Sequence, residues 1–308
     1  MLDQQVRRML RDEKSQALVA NFAQQWLNLR NLKDVSPDPS KFTTWSEELR
    51  RDMQTESEML FDTVMKEDRS LLDFLDADFT FVNERLAMHY GIRKTVKGDR
   101  FQRVSLKGTN RAGVLTHGSI LTLTSNPNRT SPVKRGKWIM ENVLGTAPPP
   151  PPPNVPDLDE TAAINPKASL REQLAQHRED TGCAACHSTM DALGFGFENF
   201  DAVGKFRTKD GGREIDSSAV LPEGGAFNGS IELIRILRKQ GDSFARVLTE
   251  KLLVYALGRG LQYYDKCAVD DIVDALKKDD YRFSIAIAGI VKSKPFRQRR
   301  GESPTDGK

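Results

Sequence analysis

Hydrophobic residues recur every three to four positions along most of the chain, which is the spacing of one face of an α-helix. In residues 2–30 this stripe passes through Leu18, Phe22 and Trp26, and a clearer stripe covers residues 45–64. The same spacing predicts further helices at 70–76, 80–90, 113–124, 131–145, 169–177, 230–239, 242–258, 268–279 and 283–293. The chain is therefore predicted to be mainly α-helical.

Capping residues mark several of these helix ends. Gly91 is placed to end a helix in the left-handed conformation, and Ser131 followed by Pro132 is typical of an N-cap and first helical position. Ser169 and Glu172 have the spacing of a capping box, in which each side chain bonds to the backbone of the other. These signals predict where the helices begin and end.

Two stretches depart from the helical spacing. Residues 101–105 contain a short strand-like run, and residues 204–229 hold alternating segments around the turn Asp210-Gly211-Gly212. The predicted fold is thus mainly α, built from helical modules, with a small β-hairpin excursion near 204–229.

A run of six prolines at 148–153, with Pro156 shortly after, interrupts the pattern. Consecutive prolines adopt the extended polyproline II conformation. The run is either a stiff strap between units or a docking segment for an aromatic groove, and we favour the strap. At 308 residues the chain is long enough for two units, so the prolines are the best candidate boundary.

Composition excludes some classes of protein. The net charge is only +3, so charge gives no reason to expect a nucleic-acid partner. No run approaches the roughly 18 apolar residues that a membrane span requires. The first residues, MLDQQVRR, contain no apolar segment of the kind found in secretory signal peptides.

The most specific chemical signal is the sequence Cys183-Ala184-Ala185-Cys186-His187, which is the C-x-x-C-H attachment motif of a c-type haem. Residues i and i+3 share one face of a helix, so both thiols can reach the vinyl groups on one side of a porphyrin. His187 then offers its imidazole to the iron as the proximal ligand. One covalent haem c is the predicted cofactor.

Two other interpretations of the cysteines stay open. A structural zinc ion needs four Cys or His ligands, and here Cys267 and His177 would have to be recruited from elsewhere. A thioredoxin-like redox pair needs a strand–helix–strand context, whereas the segment before the motif has the pattern of a capped helix. Because covalent haem is normally attached after export, the absence of a signal sequence suggests one part of a longer exported protein, or a start assigned too late.

Other residues are candidates for the haem surroundings. Phe195 and Phe197 follow the motif and could wall an apolar pocket, or simply belong to the core. Arg135 could pair with a haem propionate, although a solvated helix face is the simpler role for it. His117 is the first candidate for a distal iron ligand, because it stands in an apolar helical segment; the alternative is a hydrogen-bonded core histidine.

Two further histidines and two methionines are weaker candidates for the distal position, namely His89, His177, Met88 and Met140. Met190 is the only methionine after the motif, and it lies three residues past His187 on the same side of the ring. A five-coordinate iron is therefore also open.

Several stretches together resemble the C-terminal region of planctomycete-type cytochrome-associated proteins, which carry consecutive domains of unknown function. The matching stretches are 81–91, 130–136, the proline run with the residues up to Pro156 (148–156), 183–201 and 255–260. The resemblance implies three modules rather than two: a helical module at 1–92, a second at 93–160 that ends in the polyproline strap, and a haem-c-type module at 161–300, with a tail at 301–308. It also implies extracytoplasmic haem chemistry, without naming a substrate.

The expected function is single-electron transfer by an extracytoplasmic (periplasmic or cell-surface) haem protein within a larger redox protein. Its partner would be a redox protein or another domain of the full-length chain, and an electron carrier is favoured over an enzyme that turns over a substrate. The alternative is a binding or scaffold module in which haem or metal is a structural staple.

Overall fold

The computed structural model of the protein describes residues 1–92, 96–150, 169–179 and 181–298. Its α-helices are α1 (Leu2–Arg11), α2 (Gln16–Leu18), α3 (Gln24–Trp26), α4 (Glu47–Lys66), α5 (Asp73–Asp76), α6 (Glu84–Tyr90), α7 (Gly118–Leu123), α8 (Pro132–Ile139), α9 (Leu170–His177), α10 (Thr181–Phe195), α11 (Ser230–Lys239), α12 (Gly241–Leu257), α13 (Lys266–Lys278), α14 (Phe283–Lys292) and α15 (Lys294–Arg297). The prediction of a mainly helical fold is confirmed.

Short 3₁₀ or π-helical turns extend or join these helices at Glu13–Ser15, Val19–Ala23, Leu29–Asp34, Val114–Thr116, Met140–Leu144 and Tyr263–Asp265. The predicted caps are present. Ser131 accepts a hydrogen bond from the Lys134 amide, Gly91 adopts the left-handed conformation, and Ser169 forms the full capping box with Glu172. Local sequence therefore determines these helix ends.

The strands form small two-stranded antiparallel sheets. They pair as β1 (Phe79–Val82) with β2 (Gln102–Ser105), β3 (Lys209–Asp210) with β4 (Arg213–Glu214), and β5 (Ser218–Val220) with β6 (Ala226–Asn228). The predicted β-excursion near 204–229 is confirmed as two hairpins.

Two predicted helices need correction. Residues 80–90 do not form one helix, because Phe79–Val82 pairs with Gln102–Ser105 as a strand and Asn83 then caps a helix that begins at Glu84. The segment 113–124 is also broken, since His117 has an extended backbone (φ −66°, ψ 139°) between Val114–Thr116 and α7. Long-range pairing and the fixing of His117 by its neighbours override the local helical spacing.

A continuous hydrophobic core joins the N-terminal and C-terminal parts of the chain. Trp26 lies 5.0 Å from Phe74 between ring centroids, and Phe61 lies 5.6 Å from Phe283. A smaller cluster beside it contains Leu49, Met53, Val82, Leu86, Ala87, Tyr90 and Val96. Burial of these apolar side chains, worth about 25 cal/mol per Å², supplies the main stabilisation.

The second half of the proline run, residues 151–153, lies outside the described residues, so the polyproline strap stays a prediction. The module boundaries at 92, 160 and 300 stay predictions as well. Within the described parts of the chain, no helix has both the length and the apolar composition that crossing a bilayer requires.

Candidate functional site around Cys183, Cys186 and His187

The C-x-x-C-H motif lies in the first half of α10 (Thr181–Phe195), and the two halves of this helix differ in burial. Cys183, Cys186 and His187 are half-buried, whereas the residues from Met190 to Phe195 are buried. Neither Cys183 nor Cys186 forms a disulfide bond. The reactive end of the helix therefore lies at the protein surface and the other end is anchored in the core.

Helix α8 anchors the buried half of α10 by direct backbone contact. A Cβ atom at Gly136 would overlap the carbonyl group of Met190, and one at Gly194 would overlap the carbonyl group of Pro132. Only glycine at these positions lets the two backbones approach so closely. The glycine in the 130–136 stretch of the resemblance thus has a packing role that fixes the motif helix.

Asp191 orients the imidazole of His187. Its Oδ1 lies 3.0 Å from Nδ1 of His187, one helical turn earlier, and Arg178 donates a 2.9 Å hydrogen bond to its Oδ2. Asp191 is fully buried. Because Nδ1 is bound to this carboxylate, Nε2 is the nitrogen left to ligate a metal.

A second imidazole, that of His177, lies next to His187. The two ring centroids are 4.6 Å apart in an edge-to-face arrangement. His177 ends α9, which packs on α10, so helix packing brings the two histidines together. The sequence ranked His177 below His117 as a candidate neighbour of the iron.

The side chains at this site fit a covalently attached haem. Cys183 and Cys186 are three residues apart on one helical turn and half-buried, neither is in a disulfide, and His187 is held with Nδ1 bound. Two thiols for thioether bonds and one Nε2 for the iron are the donor set that a c-type haem needs. In the part of the chain that the structure describes, no group of three or more Cys, His, Asp or Glu side chains is arranged to hold a bare metal ion, and the zinc interpretation stays untested.

Arg135 is buried, so the expectation of a solvated helix face is wrong. Its guanidinium donates hydrogen bonds to the carbonyl oxygens of Phe197, Phe200 and Asp201 at 2.7–2.9 Å, and lies 3.3 Å from a carboxylate oxygen of Glu198. Burial lowers the pKa of Arg135 to about 10. Arg135 therefore holds the turn that follows α10, and its pairing with a propionate stays a prediction.

The two candidate wall residues have different surroundings. Phe195 lines an open groove of about 540 Å³, where the guanidinium of Arg171 lies 4.0 Å from its ring centroid. Phe197 is buried in the core, where it lines a small cavity together with Trp138. Both side chains are buried, and their contact with a haem stays a prediction.

His117 belongs to a buried polar cluster, which we define as Glu56, Ser57, Tyr90, Arg111 and His117. Nδ1 of His117 shares a 2.9 Å hydrogen bond with the Ser57 hydroxyl, and its Nε2 lies 3.8 Å from a Glu56 oxygen without a hydrogen bond. Burial, together with the positive charge of Arg111, lowers the pKa of His117 to about 3. The ring is therefore neutral near pH 7, and its contact with Glu56 is not an ion pair.

Glu56 and Arg111 complete the buried polar cluster. Glu56 accepts hydrogen bonds from Thr80 at 2.6 Å and Tyr90 at 2.5 Å, and burial raises its pKa to about 7. Arg111 lies 3.7 Å from the ring centroid of Tyr90 and donates to the carbonyl oxygen of Gly204 at 2.5 Å. The cluster joins segments far apart in the sequence, which residue spacing alone does not indicate.

The other distal candidates lie in varied places. His89 is buried, with Nε2 2.7 Å from the carbonyl oxygen of Val203, Met88 is exposed, and Met140 is buried. Sequence reasoning missed Asp191 and Arg178 altogether. The spacing of four residues between His187 and Asp191 was the signal that could have identified Asp191.

Three family models match consecutive parts of the chain. Residues 1–92 match a protein of unknown function (DUF1592), residues 111–210 match DUF1588, and residues 223–296 match DUF1585. These are domains found in planctomycete-type cytochrome-associated proteins, so the resemblance is confirmed at the level of these domains. No curated protein and no solved structure matches the chain.

Proposed function

We propose that the chain is an extracytoplasmic c-type haem protein that takes part in single-electron transfer within a larger multi-domain redox protein. The observation that carries the proposal is the arrangement of Cys183, Cys186 and His187 on one surface turn of α10, with the imidazole oriented by Asp191. Haem, when bound, supplies a one-electron iron couple. The similarity to domains of cytochrome-associated proteins supports the same proposal.

The chain's own residues would divide the work among them. Cys183 and Cys186 would hold the porphyrin through thioether bonds, and His187 would present Nε2 to the iron. Anchoring of α10 against α8 keeps these three side chains in fixed relative positions, since Gly136 and Gly194 leave no gap between the backbones. Because the motif lies at the surface, a bound haem would have an edge within reach of a redox partner.

The test is to express the chain behind a signal sequence in a host that matures c-type cytochromes. We expect one covalently bound haem per chain, measured as a pyridine haemochrome spectrum and as haem that stays on the polypeptide in a denaturing gel. The control is the Cys183→Ser/Cys186→Ser variant, which should fold because both thiols are half-buried, and should carry no covalent haem. Absence of haem from the unmodified chain would refute the proposal.

A redox titration then separates electron transfer from the alternative of a structural staple. An electron-transfer protein should change oxidation state reversibly within the physiological range. A haem that keeps one oxidation state across that range, and whose absence unfolds the protein, would instead favour a scaffold module.

A further inference from the structure

Asp191 is completely buried, and each of its two carboxylate oxygens has a different partner. One oxygen faces Nδ1 of His187 at 3.0 Å, and the other accepts the 2.9 Å hydrogen bond from Arg178. A buried carboxylate is costly unless it is paired and hydrogen-bonded, and here the guanidinium supplies both. A neutral acceptor would be enough to hold the ring, so the charged acceptor calls for an explanation.

We infer that Asp191 is a positioning residue that lowers the reduction potential of a haem ligated by His187. The inference rests on the proposed function, because it requires that haem. A carboxylate that accepts the Nδ1–H bond raises the basicity of the imidazole, and a more basic axial ligand stabilises ferric over ferrous iron. Hydrogen bonding to an axial ligand is one of the main ways in which a protein adjusts its haem.

Arg178 connects this device to the neighbouring helix. It follows directly after α9, and its guanidinium reaches across to Asp191 while its side chain is about one quarter exposed. His177, the residue before it, packs on the His187 ring at 4.6 Å between centroids. The orientation of the proximal ligand therefore depends on how α9 packs on α10, and a partner that binds α9 would act on the same ligand.

The experiment measures the midpoint potential of purified, haem-loaded protein. Asp191→Asn keeps a hydrogen-bond acceptor of the same shape but removes its charge. We expect at least a tenfold shift of the ferric-to-ferrous ratio towards ferrous iron at a fixed applied potential, which equals about 59 mV upward for a one-electron couple. Glu172→Gln is the matched control, because it also neutralises one carboxylate, on the exposed side of α9, and should leave the potential unchanged.

The double variant Arg178→Gln/Asp191→Asn separates the hydrogen bond from net charge. It removes one positive and one negative charge together, so it leaves the net charge as it was and no buried ion without its partner. Its potential should still rise, by less than that of Asp191→Asn alone. It also covers the case in which the single variant does not fold.

Haem content distinguishes failure of the inference from failure of the proposed function. If the unmodified chain binds no covalent haem, the proposed function fails and the inference falls with it. If haem is bound and the potential is the same in the unmodified, single and double-variant proteins, the inference alone is overturned. An unchanged or lower potential in the double variant would overturn it as well.

Discussion

His117 and His187 carry the same imidazole side chain in two contrasting environments. His117 is sealed in the buried polar cluster, with a neutral ring and an Nε2 that makes no hydrogen bond. His187 is half-buried at the surface end of α10, beside two thiols and bound through Nδ1 to a carboxylate. Of the two imidazoles, that of His187 is the one bound to a carboxylate and placed beside two thiols, which supports its proposed role as the iron ligand.

The largest expected effect comes from replacing His187 or His117 by alanine in the haem-loaded protein. His187→Ala should keep the thioether bonds but lose the proximal ligand, which would alter the visible absorption spectrum. His117→Ala should leave that spectrum unchanged and cost about 2 kcal/mol of unfolding free energy, because it opens a cavity in the buried polar cluster. A changed spectrum in His117→Ala would show that His117 is the distal ligand after all.

The next effect concerns the anchor of the motif helix. Gly136→Ala puts a Cβ into the Met190 carbonyl group, which a backbone cannot easily avoid, so we expect a loss of about 3 kcal/mol in chemical denaturation. Gly260→Ala is the control, because nothing lies within 4 Å of the Cβ it would add. Equal stability of the two variants would mean that the contact between α8 and α10 is not rigid.

Glu56→Gln tests the pH dependence of the buried polar cluster. Burial raises the pKa of Glu56 to about 7, so between about pH 4.5 and pH 7 the folded state keeps a proton that the unfolded state releases. The contribution of Glu56 to the free energy of unfolding therefore falls as the pH rises through this range. Because Gln cannot titrate, the free energy of unfolding of Glu56→Gln should gain about 2 kcal/mol relative to that of the unmodified protein as the pH rises from 5 to 7.

His117 has the opposite effect on stability. Its pKa is about 3 in the folded state, so below the ordinary value of 6.5 the unfolded state binds a proton before the folded state does. In the unmodified protein the two contributions therefore largely cancel between pH 4.5 and 6.5, and Glu56→Gln should reveal the rise with pH that His117 causes. Unfolding curves at several pH values measure this, with Glu58→Gln on the same helix as the control. The same pH profile for both variants would contradict the role assigned to Glu56.

The smallest expected effect on stability comes from removing the N-cap residues of α4 and α9. Ser46 caps α4, which places nine buried residues against the rest of the protein, and Ser169 caps α9, whose one buried residue is Leu174. Ser46→Ala should lower global stability by about 1 kcal/mol, whereas Ser169→Ala should mainly speed amide exchange in the first turn of α9. Hydrogen exchange and denaturation on both variants measure the difference. A similar global loss for Ser169→Ala would place α9 in the same cooperative unit as α4.

Much of the fold was predictable because its signals are local. The capping box of Ser169 and Glu172 and the start of α8 at Ser131 and Pro132 depend on neighbours within four residues, and all are present. The strand at Phe79–Val82 was missed because its partner is a segment some twenty residues later. A pairing partner at that distance leaves no local periodic signal.

The candidate site shows the same division. The attachment residues follow from spacing alone, since C-x-x-C-H defines its own geometry on a helix. Arg135 was assigned to a solvated face, because nothing in its own helix shows that the turn after α10 lies against it. Asp191 carries a local signal in its spacing from His187, but its significance depends on burial and on Arg178, which only packing supplies.

The sequence by itself determined the helical class, the helix ends that carry capping residues and the three side chains proposed to hold the haem, because each depends on contacts within about one helical turn. Only the tertiary structure decided which histidine carries an orienting carboxylate and which is sealed in a polar cluster. Burial and electrostatic environment are set by segments far apart in the chain, and these meet only when the core forms.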